Sequence, residues 1–147
     1  MSSWRPDDSF LESDNGELKG VRRIKDALQK HGLELGRGIV TSRDKDIDRV
    51  RTELRRAEMP RGFQQWQLPV ALGPDKNVLA FMTVAEPDAE LPHHSHDVEL
   101  FRVIVSGTAY YKDLELKAGD WMVVPKGESY SLKAASNPGY VSYHLYW

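Results

Sequence analysis

From Gly62 onward the chain alternates short apolar-rich runs with tight turns. The runs Phe63–Leu72, Val78–Ala85, Val98–Val105, Ala109–Tyr111, Leu114–Leu116, Trp121–Val124, Ser129–Lys133 and Tyr140–Tyr146 read as strands. They are separated by Gly-Pro-Asp, Ser-Gly, Ala-Gly-Asp, Pro-Lys-Gly and Asn-Pro-Gly turns. Closely spaced strands with such punctuation predict a sandwich or barrel. Before Gly62 the period changes. Leu18, Val21, Ile24 and Leu28 recur at spacings of three and four, which predicts an amphipathic helix from about Asn15 to Gly32. A second helical pattern, with Ile47, Val50 and Leu54 on one face, is expected after Thr41-Ser42 and should end at Pro60. Arg49, Arg51, Arg55 and Arg56 fall mostly on its other faces, the ordinary make-up of a solvated helix surface. Residues 1–14 carry no periodicity and read as a loose leader. The chain therefore divides into a leader with helical extension over 1–61 and a β-domain over 62–147.

Composition narrows the possible partners. The 147 residues suit one domain, and the lack of cysteine removes disulfides, thiolate metal sites and cysteine nucleophiles. The polar, acidic start does not resemble a secretory signal, and no apolar run is long enough to span a bilayer. A soluble, cytoplasmic protein is the expectation, with no membrane partner. Basic and acidic residues number 20 and 22 overall, 13 and 12 up to Pro60, and 7 and 10 after it. A β-half that is slightly acidic argues against nucleic acid as a partner.

The concentrated chemistry lies in Pro92-His-His-Ser-His-Asp-Val-Glu-Leu-Phe-Arg. Residues two apart on a strand share a face, so His94 and His96 can aim two imidazoles into one cavity. Imidazole suits Fe, Mn, Ni, Zn or Cu, but a catalytic site usually holds three protein ligands and an open position. In a regular strand Val98, Leu100 and Arg102 share the histidines' face, whereas His93 and Glu99 point away. A bulge would bring Glu99 inward, and His144 on the last strand is a further candidate. Arg102, mid-strand in an apolar run, either clamps an anionic substrate from the cavity or pairs with a surface acid. Trp66, Tyr110, Trp121, Tyr143 and Trp147 are expected to pack in a core or interface rather than stack on a ligand.

Two blocks carry a family resemblance: Pro92 to Gly107, and Leu116-Lys-Ala-Gly-Asp-Trp-Met-Val-Val-Pro-Lys-Gly-Glu-Ser-Tyr130. Their spacing resembles the two signature motifs of the cupin superfamily, closely from Asp88 onward and loosely over the strands before it. His94, His96 and Gly107 match the first motif, with Leu100 at its glutamate position and Asp88 at its opening glycine. Gly119, Pro125 and Gly127 match the second, with Tyr130 at its metal-binding histidine and Ala134 at its asparagine. The resemblance implies a mainly β protein: a single cupin-type (RmlC-like) jelly-roll barrel behind an N-terminal helical extension, commonly paired as a homodimer. It also implies a small metalloenzyme, an oxygenase, isomerase or lyase, acting on a small organic, anionic metabolite in the barrel. In that reading His94, His96, Glu99 and His144 are the candidate ligands of a divalent Fe, Mn, Ni or Zn ion. Tyr130 is the candidate catalytic acid and Arg102 the substrate clamp. The alternatives are a metal-free ligand-binding or sensor barrel, or a metal-free isomerase or cyclase with a histidine base and Tyr130 as acid.

Overall fold

The structure is a computed structural model that describes residues 4–147. Met1–Ser3, the first residues of the expected leader, lie outside the described residues.

The extension opens with a 3-10 turn at Ser9–Leu11 and a small hairpin, β1 (Ser13–Asp14) and β2 (Glu17–Leu18). Asn15 and Gly16 turn it with φ of 53° and 80°, the geometry that an Asn-Gly pair favours. Helix α1 (Lys19–Lys30) therefore starts four residues later than the periodicity suggests. It buries Val21, Ile24 and Ala27, and Gly20 lies so close to Leu79 that a Cβ there would come within 2.5 Å of Leu79 Cδ1. Its end matches the expected glycine stop. Gly32 has φ 67°, and the Leu33 and Gly32 amides donate to the carbonyls of Leu28 and Gln29, closing a Schellman turn.

Helix α2 (Ile47–Glu53) is shorter than predicted at both ends. Thr41 does not cap it, because the Thr41 hydroxyl is used in a turn with Asp44 at 2.8 Å. Beyond Leu54 the chain extends to pair with the next strand: Arg56 N–H donates to the Gln65 carbonyl, and Gln67 N–H to that of Leu54. This short segment covers a sheet edge that would otherwise be open. No helix among the described residues is long and apolar enough to cross a membrane.

The barrel comprises β3 (Phe63–Leu72), β4 (Val78–Ala85), β5 (Glu90–His94), β6 (Leu100–Tyr111), β7 (Leu114–Lys117), β8 (Trp121–Val124), β9 (Tyr130–Ala134) and β10 (Tyr140–Tyr146). All pair antiparallel, in the order β3-β4-β10-β6-β9-β5, with β7 and β8 also on β6. Two expected strands, Val98–Val105 and Ala109–Tyr111, are one. The first half of β6 pairs with β10 and β8, and its second half pairs with β7 and β9. This long strand joins the two faces of the barrel. Alternation sends Leu100, Arg102 and Ile104 inward, and on β10 Tyr140, Ser142, His144 and Tyr146.

Where the register of β6 against β10 shifts, Gly107 follows with φ 73°, and a Cβ there would lie 2.0 Å from the Gly139 carbonyl oxygen. Gly127, with φ 81°, faces open space, so its demand is conformational only. Gly107→Ala is therefore expected to cost more than about 3 kcal/mol and Gly127→Ala about 1 kcal/mol. Urea unfolding of the two variants checks the difference, and equal costs would contradict the close approach.

Candidate functional site

His94 faces inward because β5 bulges, and His96 lies just beyond the end of that strand. Leu91 pairs with Leu132 but His94 pairs with Tyr130, so three steps on β5 match two on β9. Pro92, which has no amide hydrogen for the ladder, sits in the irregular step of this outermost strand. Its carbonyl accepts a hydrogen bond from His94 Nδ1 at 2.6 Å. His93 is exposed, as alternation predicts.

His94 and His96 are buried with ring centroids 4.9 Å apart. Tyr130 lies 4.5 Å from His94, and Tyr146 lies 5.0 Å from His96. Arg102 is only 2% exposed. The expectation that it faces either cavity or surface resolves to the cavity. Its guanidinium donates to Ser142 Oγ at 2.9 Å and to the Tyr130 hydroxyl at 3.5 Å, and its Nε has no partner. Among the described residues it forms no ion pair.

The structure does not bring all the candidate ligands together. Glu99 turns outward, and its carboxylate accepts from the Lys126 amide at 3.0 Å. His144 is 1% exposed and stacks on Phe81 at 5.2 Å, with neither ring nitrogen hydrogen-bonded. The five aromatic residues expected to pack are also not core. Trp121 is 60% exposed, and Tyr110, Tyr143 and Trp147 are open to solvent too. Trp66 is half-buried beneath the Arg51 guanidinium, 4.3 Å from its ring centre.

The leader is the largest departure from expectation. From Trp4 on, it lies against the barrel interior. Trp4 packs edge-on against His94 at 5.1 Å and donates from Nε1 to the Glu58 carbonyl at 2.8 Å. His96 Nδ1 donates to the Asp8 carboxylate at 2.9 Å. Phe10 is buried on Phe81 and Tyr146. Arg56, read from sequence as part of a solvated helix face, bonds Gln65 Oε1 at 2.6 Å and the Asp7 carbonyl. Trp4, Pro6, Arg56, Met59, Leu91 and the four polar residues His94, His96, Arg102 and Tyr130 are among those enclosing the remaining space, about 10 Å³. That is room for one water. Asp8 and Arg56 had no signal in local periodicity, since both act across long stretches of chain.

A divalent metal would need more than this set provides. Both Nδ1 atoms are tethered, the usual second partner of a ligating imidazole. The donors stop at two, however. The motif's other ligand positions hold Leu100, which is apolar, and Tyr130, and a guanidinium cation stands beside the pair. No three His, Asp or Glu side chains among the described residues are grouped to hold an ion. The residues present do not fit a resident divalent metal.

Burial sets the protonation of the cavity. Removal from water lowers His94 from its ordinary 6.5 to about 4, opposed by the Pro92 carbonyl and assisted by the neighbouring His96 and Arg102. His144 is held well below its usual value for the same first reason, then by Arg102. Burial pushes the Tyr140 hydroxyl up to about 12 and raises that of Tyr146 further. The His94 and His144 rings are thus neutral at pH 7.

No family model matches this sequence, and no curated protein matches it. Solved structures do. KdgF from Halomonas sp. superposes with a TM-score of 0.52 at 19% identity, over 60% of this chain and 81% of that one. A 7S globulin from Momordica charantia gives 0.52 at 20% identity, over 63% of this chain and only 31% of its own. An RmlC-like cupin from Shewanella frigidimarina gives 0.48 at 16%, over 60% and 78%.

The neutral His94 makes stability depend on pH. Between pH 6.5 and 4 the unfolded chain takes up a proton at this ring that the folded chain does not. Stability is then full above pH 6.5 and falls as the pH drops, by on the order of 3 kcal/mol at pH 4 from this residue. Chemical denaturation across that range should show the decline, and His94→Gln should flatten part of it.

The strand order, the glycine and proline spacing of the two motifs and the superpositions on KdgF and the globulin identify the chain as a mainly β protein of the cupin, RmlC-like jelly-roll fold.

Proposed function

We propose that the barrel binds a small organic carboxylate without a metal, with Arg102 as its anchor. The observation that carries this reading is the guanidinium itself: buried, 2% exposed, and without a carboxylate partner. An uncompensated charge inside a protein costs several kcal/mol, so its retention points to an anion that neutralises it in use. Guanidinium also presents parallel donors suited to a carboxylate. Tyr130 and Ser142 orient it, and His94 and His96 add polar ring edges beside it. Arg56 at the rim supplies a second cation. The metal-dependent reading asks the same cavity to hold another positive charge near Arg102 with only two imidazole donors, which is electrostatically the poorer use of it.

The two readings separate experimentally. Malonate and acetate are expected to bind tag-free protein in calorimetric titrations regardless of chelator. Arg102→Met should abolish binding and raise stability by about 1–3 kcal/mol, because it removes a buried charge and keeps an apolar stem. Unchanged binding in Arg102→Met, or a stoichiometric transition metal in the tag-free protein, would overturn the proposal.

We also propose pairing with a second copy through the outer face of β8, β6 and β10. Trp121 lies opposite Val103, which lies opposite Tyr143, and Val123 lies opposite Phe101, which lies opposite Leu145. Trp121, Val123 and Tyr143 are exposed, so apolar side chains cross three strands in a band of the kind that marks an interface. Sedimentation should find a dimer in the wild type and a monomer in Trp121→Glu. A wild-type monomer at high concentration would count against pairing.

A further inference from the structure

We infer that residues 4–10 act as an internal ligand of the barrel, with the Asp8 carboxylate occupying ground that the bound anion takes over. This rests on the anion-binding reading above and adds how the site is controlled.

The segment meets the cavity as a ligand would. It brings an aromatic ring onto His94, a carboxylate onto His96, and a second aromatic ring onto Phe81 and Tyr146. Among the described residues Asp8 is the one acidic residue whose side chain is hydrogen-bonded to the histidine pair. With the segment in place, the space left is about 10 Å³, too small for any carboxylate. Ligand entry therefore requires a wall to move.

Among the walls, residues 4–10 lie outside the sheet, as do Arg56, Met59 and His96. The cavity residues Gln65, Leu91, His94, Arg102, Tyr130 and Tyr146 lie on strands paired at least on one side, and Arg56 is tied to the sheet through its amide to the Gln65 carbonyl. The Asp8 and Ser9 carbonyls accept local bonds, from the Leu11 and Glu12 amides. Its ties to the rest of the chain include side-chain bonds: Trp4 to the Glu58 carbonyl, Arg56 to the Asp7 carbonyl, and His96 to Asp8. Releasing the segment breaks these side-chain bonds and exposes two aromatic rings, while the strand pairings of the sheet stay intact.

The fit is also incomplete at the atoms that matter. Asp8 Oδ1, His96 Nε2 and Arg102 Nε are buried with no hydrogen-bond partner. Asp8 satisfies His96 on one side but forms no ion pair with Arg102. A free carboxylate that reaches the guanidinium would satisfy groups that the tethered one leaves unmet. The segment is thus a weaker occupant than the ligand it gives way to, as an exchangeable plug must be.

Hydrogen exchange and calorimetry on the full-length chain test this, with malonate as the probe. Malonate should speed exchange of the Leu11 and Glu12 amides in the wild type. Asp8→Asn and Trp4→Ala, each checked for a cooperative thermal transition, should tighten malonate binding by about tenfold, because less of the protein is closed in the absence of ligand. If malonate binds the wild type but leaves those amides equally or better protected, or if both variants weaken binding, the segment is a fixed wall and the inference fails while the anion reading stands. If malonate binds neither the wild type nor either variant, the anion reading fails and takes this inference with it.

Discussion

A guanidinium enclosed in a β-barrel has to be solvated by the protein, and the interior of this chain is arranged around that requirement. Arg102 points inward because of its place on β6. Its hydrogen bonds go to Ser142 on β10 and Tyr130 on β9, so three strands converge on one charge. The same charge helps to keep His94 and His144 neutral. Tyr130 in turn packs on His94, which Pro92 fixes through the bulge in β5. A substitution at Arg102 therefore acts on the whole polar interior.

Much of the barrel is legible from residue pattern. The strands at 63–72, 78–85, 121–124 and 140–146 coincide with the periodic runs, since alternation and turn residues act locally. The strand at 90–94 was not anticipated because Pro92 and two histidines interrupt its apolar pattern. The junction at Val105–Ala109 reads as a break because Ser106-Gly107 resembles a turn, whereas the strand bends there and continues. At the N-terminal end, Asn15-Gly16 is a hairpin signal that a long helical period overrode.

The site was legible in part for the same reason. His94, His96 and Arg102 fall on one face of a regular strand, and the cavity holds all three, although β5 ends at His94 and Arg102 lies on β6. Asp8 reaches His96 across 88 residues, and no local period reports such a contact. Glu99 illustrates the limit from the other side. Its carboxylate is a metal ligand by chemistry, but strand alternation turns it outward to a backbone amide.

Gly107 and Gly139 bring two backbones into a contact that no side chain can enter: a Cβ on the first would strike the carbonyl of the second. Any single-base change in either codon that alters the residue adds at least a Cβ, so the pair resists drift. The inner face is under no such veto, since Leu100 and Tyr130 stand where the motif has glutamate and histidine and the strands still pair. Descent in such a chain would preserve the hinge of the barrel long after the chemistry inside it had been exchanged.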